Sequence, residues 1–123
     1  MKKILLVDDN EMQLTIVSNV LNQKYEITTA ESGKEAVGYL SKGYIPNLIL
    51  LDILMPEMDG WETYSLIKGL SLLRDVPIVF FTSLDTEKDK ERASRLGAAG
   101  FITKPFDAKE LMYNVDSIIE KRA

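Results

Sequence analysis

Three carboxylates stand directly after runs of apolar residues. Asp8 and Asp9 close KKILLVDD, and Asp52 closes LILLD. A hydroxyl, Thr82, ends IVFFT, and an ammonium, Lys104, follows GFIT. These are the groups from which a site for a hard cation and an anionic ligand is built. Other chemistries are closed. The 123 residues include no Cys and no His, so there is no disulfide, no thiolate nucleophile and no zinc–thiolate site. There is likewise no imidazole to act as base, metal ligand or phosphoryl carrier. Whatever reaction the chain supports must use carboxylates, hydroxyls and lysines.

The elements that position these groups are legible as an alternation. Short apolar runs at Ile4–Val7, Ile27–Ala30, Leu48–Leu51, Ile78–Phe81 and Phe101–Ile102 read as strands. Three of them are nearly continuous in apolar residues, as in parallel strands covered on both faces. Helical patterns lie between. Met12, Ile16, Val17, Val20 and Leu21 form one stripe; Val37 with Leu40 and Tyr64 with Ile67 anchor two more helices. Leu111, Met112, Val115, Ile118 and Ile119 form the cleanest stripe. The segment 85–96 is helical by composition but offers little apolar surface beyond Ala93 and Leu96, so it is expected to shift most easily. Five strands alternating with five helices predict an α/β domain over residues 1–123, with a doubly wound parallel sheet in the order 2-1-3-4-5.

That order gives the acids a common address. Ligands of open parallel sheets sit outside the carboxyl ends of the strands, where the strand order reverses. Strands one and three flank that point, so Asp8, Asp9 and Asp52 should converge there. Two carboxylates about 4 Å apart repel by about 4 kcal/mol at an effective dielectric near 20, and a proton or a cation must relieve this. With oxygen ligands alone, Mg²⁺ fits. Lys104 and Thr82 would then hold an anion beside the metal, and Asp52 would be a nucleophile that forms an aspartyl-phosphate. Each piece also has a plainer reading. An Asp-Asp pair before a helix commonly caps it, Thr at a strand end commonly caps or turns, and a Lys-Pro loop is commonly solvated.

The remaining composition narrows partners. Lys plus Arg is 15 and Asp plus Glu is 19, a net charge of -4, which argues against direct nucleic-acid binding. The mixed-sign stretch DTEKDKERASR at 85–95 reads as a solvated helix face. No apolar run approaches the roughly 18 residues of a membrane span, and the start MKKILLVDD has too short an apolar core for a signal peptide. A cytoplasmic protein without membrane contact is the expectation.

In its motifs the chain resembles, essentially end to end, a response-regulator receiver domain of two-component signalling. The motifs are LLVDDNE (5–11), LLDILMPEMDGWE (50–62), IVFFTS (78–83) and GAAGFITKPF (97–106). The resemblance implies that Asp52 accepts a phosphoryl group from a phosphohistidine on a histidine kinase or histidine phosphotransfer protein. It implies Mg²⁺ on Asp8, Asp9, Asp52 and the main-chain carbonyl of Leu54, with Thr82 and Lys104 on the phosphoryl group. Phe101 matches the family's switch aromatic, and Lys104–Pro105 its cis peptide bond. Leu54 and Leu84 match positions that border the phosphoryl group; both being apolar, they should hinder water and lengthen the phosphorylated lifetime. The implied molecule is not an enzyme: it promotes only its own phosphorylation and slow dephosphorylation, and signals through its 85–106 face to a downstream effector. Self-association through the 85–121 face is a further option.

Trp61, Met55 and Pro56 read as structural, and Gly60 as the residue that permits the turn into the third helix. Three rival readings are weaker. A haloacid-dehalogenase-type phosphatase needs Asp-x-Asp-x-Thr after strand one, whereas the chain has Asp8-Asp9-Asn10-Glu11. A flavodoxin-like carrier needs a first loop that cradles phosphate, which Asp8 and Asp9 would repel. A degenerate receiver acting as a phosphorylation-independent docking module would not need all five polar groups.

Overall fold

A computed structural model describes residues 1–121; the last two positions of the expected 1–123 domain lie outside the described residues. The strands are β1 (Lys3–Val7), β2 (Glu26–Ala30), β3 (Leu48–Leu51), β4 (Ile78–Thr82) and β5 (Gly100–Thr103). The helices are α1 (Glu11–Leu21), α2 (Gly33–Ser41), α3 (Gly60–Lys68), α4 (Glu87–Leu96) and α5 (Ala108–Lys121). A short 3-10 turn at Ser71–Leu73, not expected from the sequence, follows α3. All strand pairings are parallel, in the order β2-β1-β3-β4-β5. This is the doubly wound α/β fold that the alternation implies.

Because side chains alternate along a strand, the central strands feed two cores. Leu5, Val7, Ile49, Leu51, Ile78 and Phe80 pack towards α2, α3 and α4. Ile4, Leu6, Leu48, Leu50, Val79 and Phe81 pack with Leu14, Val17, Leu21, Leu111, Val115 and Ile119 of α1 and α5. Every residue of β3 and β4 is buried, as their continuous apolar runs require. β5, at the sheet edge, is half-buried throughout.

The α5 stripe is placed as expected, with Leu111, Val115 and Ile119 buried. The α1 stripe needs correction. Leu14, Val17 and Leu21 are buried, whereas Met12 and Ile16 are exposed. Residues 14, 17 and 21 are spaced three and four apart and form the sheet-facing line; residues 12 and 16 project from the opposite side of the helix. Gly60 also has a different reason to be glycine. Its φ is not positive, and the left-handed residue of that loop is Glu57. A Cβ on Gly60 would come within 2.3 Å of the Asp52 carbonyl oxygen and 2.6 Å of Ile53 Cα. The start of α3 therefore lies directly against the backbone that carries Asp52.

Candidate functional site

The ladder of the sheet continues one residue past several strand ends. Asp8 N donates to Ala30 O at 3.1 Å, Asp52 N to Val7 O at 2.9 Å and Lys104 N to Thr82 O at 2.8 Å. Backbone pairing thus fixes Asp8, Asp52 and Lys104 at the carboxyl edge of the sheet, after β1, β3 and β5, before any side-chain contact is considered. The site is placed by the ladder.

There Asp8, Asp9 and Asp52 each offer a carboxylate oxygen, all within 4.8 Å of one another. Asp8 and Asp52 are buried while Asp9 is exposed. Lys104 Nζ reaches Asp8 Oδ2 at 2.5 Å and Asp52 Oδ2 at 3.4 Å. Thr82 is fully buried, and its Oγ1 accepts from Leu84 N at 3.4 Å. Asp52 Oδ1 accepts from Ile53 N at 2.7 Å and Leu54 N at 3.3 Å. The cleft above is open, about 450 Å³, and is lined by the three aspartates, Asn10, Gln13, Leu54, Ser83, Lys104 and Pro105.

Burial pushes the Asp52 carboxyl above the usual carboxylate range, and the Asp8 charge adds to the rise. Lys104 works against it most, followed by hydrogen bonds from Thr82 and the Leu54 backbone. The rise persists because one ammonium cannot offset both desolvation and a neighbouring anion. Three carboxylates against one ammonium leave two formal negative charges. A divalent, oxygen-seeking ion matches that deficit, and the donor set fits magnesium.

Of the plainer readings, two fail. Neither Asp8 nor Asp9 caps α1; Asn10 does, its side chain accepting from Gln13 N. Lys104 is not solvated, its side chain being only 13% exposed. The Thr82 turn contact is real and coexists with its side-chain hydrogen bond to Asp52. Lys104–Pro105 is cis. Phe101 is half-buried, its ring 6.4 Å from Phe80. Leu54 is exposed and Leu84 half-buried; together they line a hollow with Met55, Pro56 and Trp61. Trp61 packs 4.8 Å from Phe80, as a structural residue should. Gln13, which sequence patterning passed over, lies in the cleft wall. The visible signal was its place three residues after a capping Asn.

Residues 4–116 match the family model of the response regulator receiver domain. The chain belongs to the response-regulator receiver family. It is 37% identical over 119 residues to the chemotaxis protein CheY of Halobacterium salinarum, covering 96% of this chain and 97% of that protein. It is 34% identical over 122 residues to the heme response regulator HssR of Staphylococcus haemolyticus, covering 98% of this chain and 53% of that protein. The receiver therefore spans almost all of one relative and about half of the other. Among solved structures, chemotaxis protein CheY4 of Vibrio cholerae aligns with a TM-score of 0.89 at 30% identity, covering 96% of this chain and 98% of that one. The protein is thus a receiver module of the two-component signalling family. Among the described residues, no helix is long and apolar enough to cross a membrane.

Proposed function

We propose that this receiver takes a phosphoryl group onto Asp52 from a phosphohistidine of a histidine kinase or histidine phosphotransfer protein, with Mg²⁺ held by Asp8, Asp9, Asp52 and the Leu54 carbonyl. The observation that supports it best is the meeting of three carboxylates with a buried ammonium and a buried hydroxyl at one rim of the sheet. In the step itself, a carboxylate oxygen of Asp52 bonds to phosphorus as the phosphorus–nitrogen bond breaks. The electron pair returns to the donor imidazole, and the product is an acyl phosphate. Asp52 must be ionised to attack. Lys104 favours that charged form, and can pass from the carboxylates to a phosphoryl oxygen as charge develops there. Thr82 donates its hydroxyl to another such oxygen. Bound magnesium supplies charge neutralisation for the transferring group.

Movement of Thr82 towards the phosphoryl group would draw Phe101 inward against Phe80 and shift α4 with β5. Phosphorylation thus biases an existing equilibrium and presents the 85–106 face to a downstream effector. Self-association on the 85–121 face would use the same shift. The exposed Met12 and Ile16 of α1, next to the acidic rim, offer apolar contact to a donor protein.

Incubation with acetyl phosphate and Mg²⁺ tests the proposal. The wild type gains one phosphoryl group by mass and Asp52→Asn gains none; label on another residue would sink the assignment. The lifetime reading has its own test. Leu54→Asn and Leu84→Glu should each shorten the phosphorylated half-life several-fold, and unchanged decay in both removes that idea.

A further inference from the structure

We propose that Trp61 and Tyr64 of α3 form a two-point clasp that holds α4 in the unphosphorylated chain and opens when Phe101 turns inward; the inference rests on the phosphorylation reading above. Each point joins a ring to a polar group of α4. The Arg92 guanidinium carbon lies 4.2 Å from the Trp61 ring centroid, and Tyr64 Oη donates to Leu96 O at 2.8 Å. The two rings are three residues apart on α3 and their partners four apart on α4, so both pairs lie along one line of contact. Ala93 is the only residue of α4 that is buried. The clasp supplements that single apolar anchor.

The rings stand on the fixed side. Trp61 and Tyr64 are both buried, and α3 begins at Gly60, which lies directly against the Asp52–Ile53 backbone. A cation–π contact reaches about 6 Å from the ring centroid, so a displacement of α4 by about 2 Å carries Arg92 out of range. The Leu96 hydrogen bond tolerates less, because its donor and acceptor must stay within about 3.2 Å. The rings also share their support with the switch aromatic. Phe80 lies 4.8 Å from Trp61, 5.4 Å from Tyr64 and 6.4 Å from Phe101. Inward movement of Phe101 would press on the one ring that backs both halves of the clasp. A second pull arrives from the start of α4. Thr82 Oγ1 accepts from the Leu84 amide, and Thr86, two residues on, caps the helix. A Thr82 hydroxyl drawn to a phosphoryl oxygen would shift this short loop. The clasp opposes the shift, and a contact made only in the unshifted state weakens phosphoryl binding by its own share of that state.

Arg92→Ala removes one point; Tyr64→Phe removes the other and keeps both ring and charge. The probe is beryllofluoride, which mimics a phosphoryl group on a carboxylate oxygen, added to the whole chain with MgCl₂ and followed by fluorine NMR. Each variant should bind it about twofold to fivefold more tightly than the wild type, and the double variant more tightly than either. Loss of a cation would by itself weaken binding of an anion, so tighter binding by Arg92→Ala is not a charge effect. Wild-type affinity in either single variant overturns the two-point clasp while leaving the phospho-acceptor site standing, whatever happens to Tm. Weaker binding by Tyr64→Phe also overturns it, by showing that the contact belongs to the shifted state. No beryllofluoride uptake by the wild type would instead sink the reading of Asp52 and the inference together.

Discussion

Asp52 is 7% exposed, and its carboxyl is held above the usual range by burial and by Asp8. The sign of the linked stability follows. A carboxyl raised in the folded state binds protons that the unfolded state has released, so its favourable contribution is complete below the ordinary carboxylate pKa near 4. That contribution is lost as pH rises through the folded value. At neutral pH the ionised acid is therefore a cost to the metal-free fold. Asp52→Asn should raise metal-free Tm at pH 7. The gap should close as pH falls towards 4; melts across that range would refute the cost if they run parallel. The acids were legible in the sequence because all three end strands that the expected order brings to one edge, although each alone has a plainer reading. Gln13 was passed over because its residue type alone does not mark it as part of the cleft wall.

At the scale of elements, α4 is the loosely held helix that its composition suggests, with Ala93 as its one buried residue. What the sequence did not disclose is how it is held. Arg92, within the stretch read as a solvated face, lies over the Trp61 ring with Cζ 4.2 Å from its centroid. Tyr64 Oη donates to Leu96 O at 2.8 Å, closing the other end of the helix on α3. Apolar counting misses both, because neither contact is apolar burial. An exposed cation–π contact is worth about 0.5–1 kcal/mol, which corresponds to a twofold to fivefold change in a local opening equilibrium. Arg92→Ala should speed amide exchange across Glu87–Leu96 by that factor while exchange in β3 and β4 stays fixed. Equal protection of α4 in both proteins would show that the stack contributes nothing. The α1 error has a similar origin. Met12 and Ile16 fit a helical stripe among themselves, and only the observed direction of the helix shows that Leu14 takes the inward place.

For the whole molecule, the order followed from alternation together with right-handed crossovers and the common five-stranded solution, and it places the acidic rim. The fold carries this rim at an electrostatic deficit that one divalent ion would remove. Ligand that binds only the folded form stabilises it by RT ln(1 + [L]/Kd), about 2.7 kcal/mol at a hundredfold excess over Kd. Magnesium titrated at pH 7.5 should raise Tm progressively, and sodium at equal ionic strength should raise it much less. Identical curves for the two salts would argue for screening rather than a site.

Trp61 is the only tryptophan in the chain. It stands between Phe80 in the sheet and Arg92 on α4, and borders the hollow that holds Leu54 and Leu84. Few positions could be better chosen for an indole that must notice a change on either side. Its emission should alter when the guanidinium slides off the ring, so the molecule carries a built-in optical gauge that needs no attached dye. Stopped-flow mixing with a small phosphodonor could then time the arrival of the signal and the response of the helix in one trace.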